Sequence, residues 1–189
     1  IPEDDPNFRF IHEIKRESKR CKKIVQDLLS YARTPKPVLE PTDLNRLLGQ
    51  IIDFSTNHTD LHGVRIIRNL NYELPTIPAD GDQLRQVAIN LILNAGAAMP
   101  DGGQIEINTS LDEGKWARIE FCDTGGGISD ENIEKIFEPF FTTRARGTGL
   151  GLAITKQIID QHQGEIFIDS ILNKGTTVIV RLPLERQEY

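Results

Sequence analysis

Residues 147–154 read GTGLGLAI. Three glycines alternate with Thr148 and Leu150, then run straight into an apolar-patterned stretch that predicts a helix from about Leu150 to His162. Glycine costs backbone entropy, so a cluster needs a reason: a positive φ, or a backbone that must approach a ligand closely. Free N–H groups and the dipole at a helix start favour a phosphate there. A flexible loop or a hairpin turn would give the same composition, so this stretch alone leaves both readings open. It is not a P-loop, because no Gly-Lys-Ser/Thr follows.

A second cluster, DTGGGI at 123–128, follows directly on the apolar-polar alternation of RIEFCD. Together the two clusters hold six of the chain's 15 glycines. Upstream, residues 82–99 predict a long helix with Leu84, Val87, Ala88, Leu91, Ile92 and Ala95 on one face. That helix carries Asn90 and Asn94, four apart and so on one side. Asparagine is a mediocre helix former, and two in an apolar stretch need partners. They read either as satisfied interior amides or as neutral oxygen ligands for a Mg²⁺ already held by phosphates.

The remaining pattern frames these pieces. Residues 8–33 predict one long helix whose seam runs through Ile11, Ile14, Ser18, Cys21, Val25, Leu28 and Ala32, widened by Ile24 and Leu29. Such a helix is marginal alone and needs a partner helix. TPKP at 34–37 stops it and marks a domain boundary. PTDLNRLLGQIIDF predicts a helix capped by Thr42 or Asp43. VRIIRNL and PTIPAD read as strands, GGQIEINTSL and KWARIEFCD as a hairpin, and EIFIDS and TTVIVRL as two closing strands. Hairpin strands with segregated helices predict an α+β, two-layer sandwich on a mostly antiparallel sheet.

Taken in order, NLILNA (90–95), DTGGGI (123–128), FEPFFTT (137–143), GTGLGLAI (147–154) and GTTVIVRLP (175–183) closely resemble the N, G1, F, G2 and final glycine boxes of sensor histidine kinases. The resemblance covers about residues 40–184, and NAGAAMPDGG further resembles the nitrogen-sensor branch. It implies the Bergerat ATP-binding fold shared with gyrase, Hsp90 and MutL. The implied division is a second hairpin helix of a dimerisation and phosphotransfer module over 1–34, a linker over 35–42, an ATP-binding domain over 43–185 and a tail over 186–189. RCKKIVQDLLSYAR (20–33) resembles the end of that second helix.

The resemblance also implies roles. Asn94 would coordinate the Mg²⁺ on the triphosphate, and Asn90 would face phosphate and metal-bound water. Asp123 would accept the adenine amino hydrogen. Gly125 and Gly127 would leave room for the ring, with Ile128 beside them, and Thr176 would support adenine through a water. Gly147, Thr148, Gly149, Leu150 and Gly151 would bring backbone amides to the phosphates. Residues from about Ser129 to Arg146 would form a lid, its Arg144 and Arg146 meeting the γ-phosphate. One departure is Ala97, where relatives often carry Lys or Gln.

By this resemblance the reaction is γ-phosphoryl transfer from ATP to a histidine, then to an aspartate of a response-regulator receiver domain, by a homodimer joined through the N-terminal helix. The rival readings are an ATP-hydrolysing clamp and a non-catalytic nucleotide-binding module. Against the clamp, Asn90 stands where those relatives place a glutamate base, and an amide cannot take a proton at neutral pH. His12 begins a His-Glu pair, but neither Asn/Thr nor Pro follows at the family spacing, and only 22 residues separate it from Pro35. His12 is therefore not the expected acceptor, which should lie upstream of this chain.

Composition agrees with a cytoplasmic protein, free-standing or part of a membrane-anchored sensor. The net charge of −6 disfavours nucleic-acid binding. No apolar run reaches the roughly 18 residues of a membrane span, and a signal peptide is not expected. Cys21 and Cys122, without metal spacing, predict two buried reduced thiols. The only methionine is Met99, so a fragment or processed form is expected.

Overall fold

The computed structural model describes residues 7–32, 35–55, 61–144 and 147–185, apart from the side chains of residues 20 and 23. Helix α1 (Phe8–Ala32) leads to strand β1 (Glu40–Thr42), helix α2 (Leu44–Ser55), strands β2 (Val64–Asn69) and β3 (Ile77–Ala79), and helix α3 (Gly81–Ala97). The hairpin β4 (Gly103–Asp112) and β5 (Trp116–Asp123) follows, then a single turn α4 (Asp130–Ile133), helix α5 (Gly151–Gln161), and the hairpin β6 (Glu165–Ile171) and β7 (Gly175–Pro183).

Five strands form one sheet in the order β2-β4-β5-β7-β6, antiparallel except for the β2–β4 pair; β1 and β3 make a separate antiparallel pair. The parallel pair is possible because β3 and α3 supply the crossover that parallel strands require. Alternation puts Ile105, Ile107, Ala117, Ile119, Phe121, Val180 and Leu182 on the inner face, where they meet the apolar faces of α2, α3 and α5. This is the expected two-layer α+β sandwich. On the outer face, Arg181 lies 2.8 Å from Asp112 and 5.4 Å over the Phe167 ring.

Asp43 caps α2, its Oδ1 accepting from Arg46 N at 2.9 Å. Asp80 caps α3, accepting from the N–H groups of Asp82 and Gln83. Two elements were not anticipated, β1 and α4, which have three and four residues and so carry too little pattern to read.

Helix α1 runs as predicted, but most of its apolar seam faces outward: Ile14 is 65% and Val25 54% exposed. Cys21 is exposed too and Cys122 is only half-buried, which corrects the expectation of two buried thiols. Helix α1 packs on the body against α5, with Tyr31 near its C-terminal end against the core and Asp27 bonded to Thr148. Among the described residues no helix is long and apolar enough to cross a membrane.

His162 ties the end of α5 to the start of α3. Its Nε2 accepts from Asp80 N at 3.0 Å, and its Nδ1 donates to Ile158 O at 2.8 Å, a pairing that requires the neutral ring. Burial lowers its pKa below 6.5, outweighing the opposing Ile158 carbonyl and Asp80 charge. A depressed histidine stabilises the fold fully above about pH 6.5, and the contribution is lost as pH falls toward the folded value. Scanning calorimetry should therefore show Tm falling more between about pH 7.5 and about pH 5.5 for the native chain than for His162→Gln. Equal slopes would remove the assignment.

Candidate functional site

The site forms where the last turn of α3, the end of β5 and the start of α5 meet. Strand β5 delivers Asp123 opposite Thr176 of β7. Asp123 Oδ1 accepts from Gly125 N at 2.8 Å and from Thr176 N at 3.3 Å, which leaves Oδ2 for a ligand's donor. Burial raises the Asp123 pKa above its usual value; the two amide bonds and the Arg144 charge oppose this only in part.

The glycine loop is fastened on two sides. Gly126 N donates to Ala98 O at the end of α3, and Gly126 O accepts from Asn173 N in the β6–β7 turn at 2.7 Å. Ile128 N donates to Ser170 Oγ at 2.8 Å, and that hydroxyl is 2.9 Å from Thr176 Oγ1. Thr176 is buried. A side chain on Gly125 would strike Ala98, 2.8 Å from its carbonyl oxygen. Gly127 has φ +67°, and its added carbon would overlap the Ile171 carbonyl. The room expected for a ligand ring at these two glycines is thus also demanded by the loop's own packing.

In the second cluster, Gly149 has φ +68° and would place a carbon 2.6 Å from Phe140 O; Phe140 N donates to Gly149 O at 2.9 Å. Gly151 lies directly against the Asn90 side chain, and Asn90 Nδ2 donates to Thr155 Oγ1 at 2.9 Å. Leu150 is buried beneath the loop. Thr148 Oγ1 donates to Asp27 Oδ2 of α1 at 2.9 Å.

Asn94 sits in the last turn of α3, where unpaired carbonyls and the helix dipole attract cations. Arg144 fills that role here, its guanidinium donating to Asn94 Oδ1 at 3.1 Å and Asn94 O at 2.7 Å. A turn fixes Arg144: its N–H donates to Thr142 Oγ1 and its carbonyl accepts from Gly147 N, both at 3.1 Å. Arg146 lies outside the described residues. Ala97 is exposed.

The expected Mg²⁺ can be tested against these oxygens. The position already receives a positive group on a neutral amide oxygen and a helix-end carbonyl, both hard donors suited to Mg²⁺. Among the described residues no cluster of three His, Cys, Asp or Glu could hold a metal unaided, so phosphate oxygens would have to complete the coordination. The residues fit a metal that arrives with a nucleotide.

Asp123, Asn90, Asn94, Arg144 and both glycine clusters lie around the C-terminal half of α3 and the loops beside it. Sequence reasoning missed Asp27, Thr155 and Ser170. Ser170 and Thr155 are ordinary alternating and helix-face positions, and Asp27 carries no signal beyond being polar on a charged helix. A cleft of about 380 Å³, lined by Leu29, Pro35, Gln83, Ile154 and Ile158 among others, lies between α1 and the body, apart from these residues.

Residues 79–186 match the family described as "Histidine kinase-, DNA gyrase B-, and HSP90-like ATPase". Sporulation kinase E of Bacillus subtilis (strain 168) is 33% identical over 94% of this chain and 24% of its own length. Among solved structures, full-length ShkA in complex with AMPPNP superposes with a TM-score of 0.81 at 27% identity, covering 100% of this chain and 41% of that one. Histidine kinase ThkA in complex with the response regulator TrrA superposes at 0.80 and 28% identity, covering 98% and 53%. The chain spans about a fifth to two fifths of the length of the curated relatives it matches.

The two positive-φ glycines give a direct test. An L side chain in that region costs about 1–2 kcal/mol before any clash. Gly127→Ala and Gly149→Ala should each lose at least that in urea unfolding. Gly126→Ala, with nothing within 4 Å of an added carbon, should be nearly neutral.

Proposed function

We propose, from the premise that this chain belongs to the histidine kinase-, DNA gyrase B- and HSP90-like ATPase family, that it is the ATP-binding catalytic part of a protein-histidine kinase. The observation that carries the reading is Asp123, whose Oδ1 is saturated by two backbone N–H groups and whose Oδ2 is left for an exocyclic amine. An ionised carboxylate accepts from adenine's amino group and repels guanine's carbonyl.

Phosphoryl transfer asks for positioning and charge neutralisation more than for covalent help. Asn94, at the end of α3, would hold the Mg²⁺, which when bound neutralises charge on the β- and γ-phosphates. Asn90, fixed by Thr155, presents an amide where a hydrolase would need a base. This supports transfer to a protein nucleophile over hydrolysis by water. Arg144 and Arg146 would offset the charge on the γ-phosphate, while amides of the 147–151 loop bind the others. The P–O bond to the leaving β-phosphate breaks as a bond to an imidazole nitrogen forms. The phosphohistidine then passes its phosphoryl group to a receiver-domain aspartate.

The N-terminal helix reads as the second helix of a dimerisation hairpin (1–34), joined by a linker (35–42) to the nucleotide domain (43–185). Its outward seam supports a homodimer. The NAGAAMPDGG stretch favours the nitrogen-sensor branch, and the lack of a membrane-crossing helix in the described residues suits a cytoplasmic setting. His12 lies exposed on α1 with its ring 4.3 Å from that of Phe8. Its flanking sequence lacks the acceptor pattern, so the acceptor belongs to another segment.

The chain should bind Mg·ATP by titration calorimetry, and Asn94→Ala or Asp123→Ala should abolish measurable binding. Incubated with γ-labelled ATP it should acquire no acid-labile, base-stable phosphate, yet it should phosphorylate a supplied histidine-bearing helical hairpin of the same kinase. Self-labelling that disappears in His12→Gln would transfer the acceptor role to His12.

A further inference from the structure

The last turn of α3 contains no basic residue of its own. Its cation comes from 50 residues downstream. Arg144 forks across the side-chain and main-chain oxygens of Asn94, and both ends of its turn are pinned by Thr142 and Gly147. Asn94 Oδ1 is the oxygen assigned above to the metal. A guanidinium and a divalent cation on that oxygen would lie only a few ångströms apart, where like charges repel strongly. The two occupants exclude each other.

We propose that Arg144 is the resident counter-cation of α3, that metal-bound nucleotide enters only by displacing it, and that this exchange makes Arg144 a specificity residue for ATP over ADP. The proposal rests on the ATP-binding reading. Loading a metal at Asn94 costs the two Arg144 bonds whichever nucleotide arrives. With ATP, the released guanidinium can take the γ-phosphate, a charge-assisted partner stronger than a neutral amide. With ADP there is no γ-phosphate, so the lost contacts are not replaced. A ligand shifts an equilibrium only by its differential affinity for the two states, and the terminal phosphate supplies that difference.

The test is titration calorimetry of the native chain and Arg144→Ala with Mg·ADP and Mg·AMPPNP, repeated for ADP in EDTA. Loss of the two Arg144 bonds should lower Tm by a few degrees at most without unfolding the chain, which a thermal scan checks first. The variant should bind Mg·ADP at least about tenfold more tightly than the native chain, the size expected for no longer having to break two hydrogen bonds from a charged donor. It should gain nothing for Mg·AMPPNP, so the preference for the triphosphate shrinks or reverses. In EDTA the gain for ADP should vanish, since no metal competes for Asn94. Equal or weaker Mg·ADP binding by the variant would overturn the exchange while leaving the ATP-binding reading intact. A gain that persists in EDTA would also overturn it, because the arginine would then merely obstruct the pocket. Failure of either protein to bind any nucleotide would overturn both.

Discussion

One carboxylate oxygen holds the site together. Asp123 Oδ1 accepts from Gly125 in its own loop and from Thr176 on the neighbouring strand, and thereby fixes where β5 ends and where the glycine loop begins. The loop's next contacts follow from that start: Gly126 reaches Ala98 at the end of α3, and Ile128 reaches Ser170 on β6. The loop ties a strand end to a helix end at this corner. The two amides offset part of the cost of burying this carboxylate, and the oxygen that remains can serve recognition.

Much of the fold was legible in the sequence because its elements are long and periodic. Helix α3, the β4–β5 hairpin and the β6–β7 hairpin announce themselves by 3.6- and 2-residue spacing within single windows. The elements that escaped are short or non-local. Neither β1 nor α4 exceeds four residues, and the parallel register of Val64 with Gly103 depends on a crossover that no local window contains. The site divides in the same way. Asn90, Asn94, Asp123 and the glycines stand out as residue types that are costly where they occur. Arg144's grip on Asn94 and Thr148's bond to Asp27 span 50 and 121 residues, and nothing in either neighbourhood marks them. The glycines were legible as exceptional positions, but their cause was only half read: Gly127 and Gly149 are demanded by Ile171 and Phe140 as well as by any ligand.

The attachment of α1 is light by comparison. It packs against α5, and one hydroxyl, that of Thr148, reaches its Asp27. Most of its apolar seam faces away from the body. The α/β body thus carries its own buried core, whereas most of the apolar seam of α1 stays outside it. Thr148 belongs to the 147–151 loop, and it meets α1 through a neutral donor.

The β6–β7 connection looks, by position, like an ordinary surface hairpin, with Leu172 and Ile171 more than half exposed. Yet its Asn173 donates to Gly126, its Ile171 carbonyl crowds Gly127, and Ser170 beside it holds Ile128. Surface turns are where lineages usually gain and lose residues without penalty. This one is an exception: a single inserted residue would move the wall against which the 123–128 glycine loop is cast. Length variation, and the placement of tags or fused modules, should therefore be tolerated at the Asp112–Lys115 turn and selected against here.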